Sequence, residues 1–425
     1  MDLTQNVSLD SLEEHLLTLS GEQNQPLRLV TTPHRPTPFC VEAMMLQFIV
    51  TAARKGQDKL VARFMDLNAS SEVFDATLRK GFGNPHVLVA WVMAQTAEDA
   101  RGTKIERTLA SHFNSYLDAM ESYDFMHTHD TAELRANLIC VQRAHREYVR
   151  SLYAQVDGKY VLRPYPEVRL VVQDILSQLA PHWSGQHLRD TAGPLASLLR
   201  ELMENADWWA RTDVNGNLYQ SGVRAVTFRL VHLDHGNLSV FAGSNIHLQA
   251  YLSQALGQTA KSLHGERPSR TFIEMSVADS GPGLARRWLA SKEEWTPGTD
   301  PLASVSTDVE SEAIAECFKK WRTSSNDANR GIGLFSVARI LRERNGFLRL
   351  RTGRLAYLFG TDSAINDIER RVKTAKKSDD YALLSDGTHV FFDGIDVTFF
   401  LRPWGDAACA AVDGTSYSIL LPVRS

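Results

Sequence analysis

The residues best suited to do chemistry together lie in three short stretches. Glu201 and Asn205 stand four apart in the run Leu198-Leu199-Arg200-Glu201-Leu202-Met203-Glu204-Asn205-Ala206, so a helix sets a carboxylate and a carboxamide on one face. Such a pair can orient a water and offer a neutral oxygen to a divalent cation beside a triphosphate. Asp279, Gly281 and Gly283 follow the strand-like apolar run 272–278, and a glycine-broken strand end lets backbone approach a ligand closely. Gly331, Ile332, Gly333 and Leu334 open an apolar helix, whose first amides are free to meet phosphate.

In this order the three stretches resemble the motifs of the GHKL superfamily, the ATP-binding domain of gyrase, the ninety-kilodalton heat-shock chaperones, histidine kinases and MutL. Glu201 to Ala206 match E-x-x-x-N-A; Asp279, Gly281 and Gly283 match D-x-G-x-G; Gly331, Gly333 and Leu334 match G-x-G-[LI]. The chain also closes with Gly414-Thr415, a short strand and Leu421-Pro422, as many members do. The resemblance covers about residues 165–425. It implies ATP and Mg²⁺ as ligands, Glu201 as general base, Asn205 as the Mg²⁺ ligand, Asp279 as the adenine reader and Thr415 as its partner through a shared water. Gly387-Thr388 precedes another strand and competes with Gly414-Thr415 for that last role. Lys319, Lys320, Arg322 and Arg330 lie close to the third motif, where they could face phosphate or solvent.

The elements that must position these residues change in texture along the chain. Residues 1–26 are polar, with a short helix at 11–19. Residues 27–31 read as a strand, and from 41 to about 153 the pattern reads as helical, including a six-turn helix at 132–153. From residue 158 onward, helices at 168–179, 195–210, 248–256 and 332–344 alternate with strands at 223–233, 271–278, 347–352, 389–400 and 415–421. The predicted class is α+β: a mainly α-helical N-terminal domain (27–157) of unassigned role, then an ATP-binding domain (158–425). The resemblance implies a two-layer α/β sandwich of the Bergerat type for that second domain, with helices on one face of the sheet. It also implies an ATP lid at about 285–329, in which 311–321 reads as a helix. Residues 360–380 read as a charged, solvated helical insertion.

Bulk properties narrow the function classes. With 425 residues, two domains is the default. A net charge of −4 gives no overall basic surface, so nucleic acid is not indicated. Cys40, Cys140, Cys317 and Cys409 are widely spaced, a pattern of reduced thiols rather than a disulfide frame. No secretory signal or membrane-length apolar run is visible, and the reading is cytoplasmic. The pair His127 and His129 with Asp130 reads as a polar loop. Neither His145 nor His187 has the setting of a kinase phospho-acceptor, and Trp208 and Trp209 read as packing residues. No G-x-x-x-x-G-K-[ST] loop is present.

Three functions follow from this reading. The leading one is an ATPase whose lid and domains, or a dimer, rearrange with nucleotide, and whose helical N-terminal domain meets a protein partner or a second copy. The alternatives are a histidine or serine kinase of the GHKL type and an ATP-gated interaction module with negligible turnover.

Overall fold

The computed structural model describes residues 1–4, 7–19, 25–31, 37–55, 60–106, 110–122, 135–144, 147–257, 268–292, 294–319, 333–360, 363–372, 380–394, 396–405 and 408–423. The chain begins with β1 (Asp2–Leu3), α1 (Leu9–Thr18), β2 (Leu27–Leu29), α2 (Val41–Lys55), β3 (Val61–Phe64), α3 (Phe74–Gly81), α4 (Pro85–Met93), β4 (Thr96–Glu98) and α5 (Ala110–Glu121). Then come β5 (Arg135–Val141), β6 (Tyr153–Val156), β7 (Lys159–Leu162), α6 (Tyr165–Leu179), α7 (Gly185–Trp209), β8 (Val223–Asp234), α8 (Leu238–Ala242), α9 (Ile246–Gly257) and β9 (Ser269–Asp279). The remainder is α10 (Leu284–Ala290), α11 (Thr307–Glu316), α12 (Gly333–Glu343), β10 (Phe347–Thr352), β11 (Leu355–Phe359), α13 (Ser363–Val372), β12 (Tyr381–Leu383), β13 (His389–Asp393), β14 (Asp396–Pro403) and β15 (Thr415–Pro422).

The mixed α+β class holds. The first half nevertheless departs from the helical reading. Strands β1 to β4 form a parallel four-stranded sheet in sequence order, with α1 and α2 crossing between its strands. The helix expected at 132–153 is instead the fully buried strand β5 and the start of a β6–β7 hairpin. The alternation in Arg135-Ala136-Asn137-Leu138 is the strand period, and the spacing of Leu138, Val141, Ala144 and Tyr148 imitated a helical one.

Strand β5 joins the principal sheet, whose nine strands run in the order β12-β13-β14-β11-β10-β15-β9-β8-β5 with every neighbouring pair antiparallel. Helix α7 packs against α6, α12 and β8 on one face. Helix α2 packs on β9 and β15, and the hydrogen bonds from the Ser416 hydroxyl to its Gln47 and from the amide of Cys40, just before it, to Glu274 mark the opposite face. Helices therefore cover both faces rather than one, and the N-terminal half supplies the second cover.

Helix α7 starts where the Ser184 side chain accepts from the His187 amide, an N-cap that satisfies one free donor. Its stripe of Leu195, Leu198, Leu199, Leu202, Met203 and Ala206 is buried. The expected helix at 311–321 is shifted to α11, and α13 is not merely solvated, because Ile365, Ile368 and Val372 are buried. Among the described residues, no helix is long and apolar enough to cross a membrane.

Candidate functional site

The stripe that buries α7 leaves Glu201 and Asn205 on its flank, and α7 is fixed to the sheet by the Arg224–Asp207 ion pair at 2.7 Å. Against this flank stands the first residue of α12. A Cβ built on Gly333 would lie 2.8 Å from Glu201 Oε2, with both Asn205 side-chain heteroatoms within 4 Å. A side chain at this position would have to displace the Glu201 carboxylate. Leu334, next in α12, is buried.

One turn beyond Asn205, α7 ends at Ala210, whose amide donates to the Ala206 carbonyl. Here it meets the second stretch, since a Cβ on Gly281 would be 2.6 Å from Ala210 Cα. Asp279 Oδ1 accepts from the amides of Gly281 (2.8 Å) and Thr415 (3.3 Å). Among the described residues Oδ2 accepts no hydrogen bond, which leaves that oxygen for a ligand. The Gly414 amide donates to the Gly281 carbonyl at 2.6 Å, and Gly283 packs near Thr352, whose hydroxyl accepts from the Leu284 amide at the start of α10. Gly333 thus meets Glu201 and Asn205 on the flank of α7, with Leu334 next to it in α12, while Asp279, Gly281, Gly283 and Thr415 gather at the end of the same helix. Gly331, Ile332 and Arg330 lie outside the described residues, as do Lys320 and Arg322.

The Glu201 and Asp279 carboxyls are both partly dehydrated. Burial raises the Glu201 carboxyl above the ordinary glutamate range, Glu204 adds to the rise, and Arg200 opposes it. Burial pushes Asp279 up to about 6 against the pull of its two amide donors, Arg54 and Arg287. The Asn205 amide nitrogen is buried with no hydrogen-bond partner. An unpaired buried amide is costly, and its oxygen is a suitable single protein ligand for Mg²⁺ that is otherwise held by phosphates and water.

The structure also separates residues that the sequence left in competition. Thr388 precedes β13, which three strands part from β15, so Thr415 alone stands beside Asp279. Lys319 pairs with Glu316 and lies over the Tyr381 ring. His187 packs edge-on to Trp183 and lines a separate cavity of about 400 Å³ with Asp190, Pro194, Ile273 and Arg344. That cavity flanks the first half of α7, away from Glu201. Trp208 is not packed away but 52 % exposed. His127, His129, Asp130 and His145 lie outside the described residues. In the lid segment, the Glu310 carboxylate accepts from the Arg354 amide and Nε, docking α11 on the β10–β11 turn.

Sequence reasoning missed the residues that reach the surroundings of Asp279 from α2. Arg54 stacks on Tyr219 with its carbon 3.5 Å from the ring centroid. Gln47 donates to the Gly414 carbonyl, and Thr51 accepts from the Asp413 amide. The only signal was the basic end of a helical run, Arg54-Lys55, which fits any helix C-terminus. Comparison with known proteins gives no match to a family model, a curated protein or a solved structure.

Proposed function

We propose that this chain binds Mg·ATP at the end of α7 with a GHKL-type site and hydrolyses it. The observation that carries the reading is the approach of Gly333 to Glu201 and Asn205, with the Asp279 turn at the end of the same helix. Three segments distant in sequence are drawn to the second half and the end of one helix, as a shared nucleotide site requires.

Asp279 Oδ2 accepts from the exocyclic amine of adenine, and Thr415 holds the other side of the Asp279 carboxylate. Amides at the start of α12 face the phosphate oxygens, as a helix N-terminus favours anions. Glu201, its affinity for a proton raised by burial, orients the attacking water and takes its proton. Asn205 would hold Mg²⁺, which neutralises charge on the phosphates when bound. The reading extends to a nucleotide-dependent rearrangement of the lid at about 285–329, and to a protein partner or second copy met through the N-terminal half.

The experiment is incubation with γ-labelled ATP, beside calorimetry of a non-hydrolysable analogue. Release of free phosphate, lost in Glu201→Gln while the analogue still binds, is the expected result. Label retained on this chain or on a co-purified protein would instead establish the kinase alternative, which the Gly414-Thr415 strand and Leu421-Pro422 ending favour. Binding without either product would establish a nucleotide-gated module. No binding of the analogue would sink the site itself.

A further inference from the structure

The 411–414 loop beside Asp279 and Gly281 is braced by a helix from the other half of the chain. Helix α2 ends in Thr51, Arg54 and Lys55, and each is engaged there. Gln47 donates to the carbonyls of Arg351 (3.0 Å) and Gly414 (3.1 Å) and accepts from Ser416 (2.7 Å). Thr51 accepts from the Asp413 amide at 3.0 Å, and Lys55 donates to the Ala411 carbonyl. The 411–414 loop is therefore held by α2 on one side and by Gly281 on the other.

Arg54 projects from this pinned turn. Its guanidinium carbon lies 3.5 Å from the centre of the Tyr219 ring, and both terminal nitrogens are buried without a hydrogen-bond partner. Burying unpaired donors of a charged group costs free energy that an apolar side chain would avoid. The groups that act on its charge are Tyr219, Asp413 and Asp279. Around Asp279, the cations are Arg54 from α2 and Arg287 from α10, and Tyr417 faces it from β15. Arg287 is already committed, donating to the carbonyls of Trp209 (2.9 Å) and Thr212 (2.7 Å).

We infer that Arg54 is a positioning residue of the base site, a fixed cation supplied by the N-terminal half that balances the Asp279 carboxylate and so sets the affinity for an adenine nucleotide. The inference rests on the nucleotide reading, and it specifies which half of the chain controls the site. Arg54 need not touch the base; it acts through the charge of Asp279.

The test is the pH dependence of analogue binding by wild type, Arg54→Met, Arg54→Gln and Arg54→Lys. Wild-type affinity should weaken as pH falls through about 6, where Asp279 takes up a proton. Loss of the cation should move that midpoint up by about one pH unit and lower affinity about fivefold at about pH 6 and about twofold at about pH 7, with recovery at about pH 9. Arg54→Lys should restore the wild-type midpoint, which a purely packing role would not do. An unmoved midpoint in folded Arg54→Met or Arg54→Gln overturns the inference and leaves the site intact. If wild type binds no analogue, the nucleotide reading fails. The carboxyl ¹³C titration of Asp279 in the unliganded chains then decides: a midpoint unchanged without Arg54 overturns the electrostatic role, and a raised one upholds it.

Discussion

The two faces of the nine-stranded sheet are both buried, and they are built from opposite chemistry. One cross-strand row on the α7 face reads Leu348, Ile419, Met275, Phe228 and Ala136, all buried and apolar. The adjacent row on the α2 face reads Arg349, Ser418, Ser276, Thr227 and Asn137, all buried and polar. Beside it, Glu274, Arg229 and Arg135 continue the pattern. The polar face is completed by its cover: Glu42 pairs with Arg135 and accepts from Thr227, and Glu13 pairs with Arg351 and Arg349. One face adheres by exclusion of water and close packing, and loses stability when volume is removed. The other adheres by matched charges, and loses stability when one partner of a pair is removed.

That contrast can be broken most sharply at Glu274. Replacing it by Leu leaves Arg229 buried and uncompensated, and should cost about 3–5 kcal/mol in denaturant unfolding. The double variant Glu274→Leu with Arg229→Met should recover much of the loss, whereas additive losses would refute the matched-charge account. On the apolar face, Ile419→Ala should cost about 3 kcal/mol, and no second substitution opposite it should restore stability by removing a charge. At the boundary of the two regimes, Asp279→Asn separates stability from function. The folded-state pKa of Asp279 is raised to about 6, so its contribution to stability is fully present below the unfolded value and is lost as pH rises through about 6. The unliganded Asn variant should therefore be more stable than wild type above that pH, by up to about 3 kcal/mol. It should also bind ATP about 1–3 kcal/mol less tightly by calorimetry. The smallest effect is expected where neither regime applies: Arg339 and Glu343 lie 3.9 Å apart on the exposed flank of α12, and Arg339→Ala should change stability by less than about 0.5 kcal/mol.

The same contrast explains what could be read from the sequence. Apolar stripes with glycine punctuation located α7, β8, β9, α12, β10 and β15 to within a few residues of their ends, apart from the early start of α7. They also located Glu201, Asn205, Asp279 and Thr415, because these residues stand at the ends or on the flanks of such stripes. The α2 face was illegible for a physical reason. Ser276, Ser418, Thr227 and Arg349 carry the signature of side chains facing water, and nothing local announces the cover that meets Thr227, Arg349 and Ser418 from more than 180 residues away. Arg54 was hidden in the same way, since its role depends on the partner helix and not on its neighbours in sequence.

Strand β5 has a bearing on how the molecule can be divided. It borders the principal sheet and shields the twelve-residue β8 along Val223–Arg229. A fragment starting at residue 158 would retain every proposed ligand-contacting residue and still present the bare amides and carbonyls of β8 to solvent. Exposed, apolar rims of this kind recruit strands from other molecules. The shortest soluble piece that carries the site should accordingly begin upstream of Arg135, and truncation at the apparent hairpin boundary should yield aggregates.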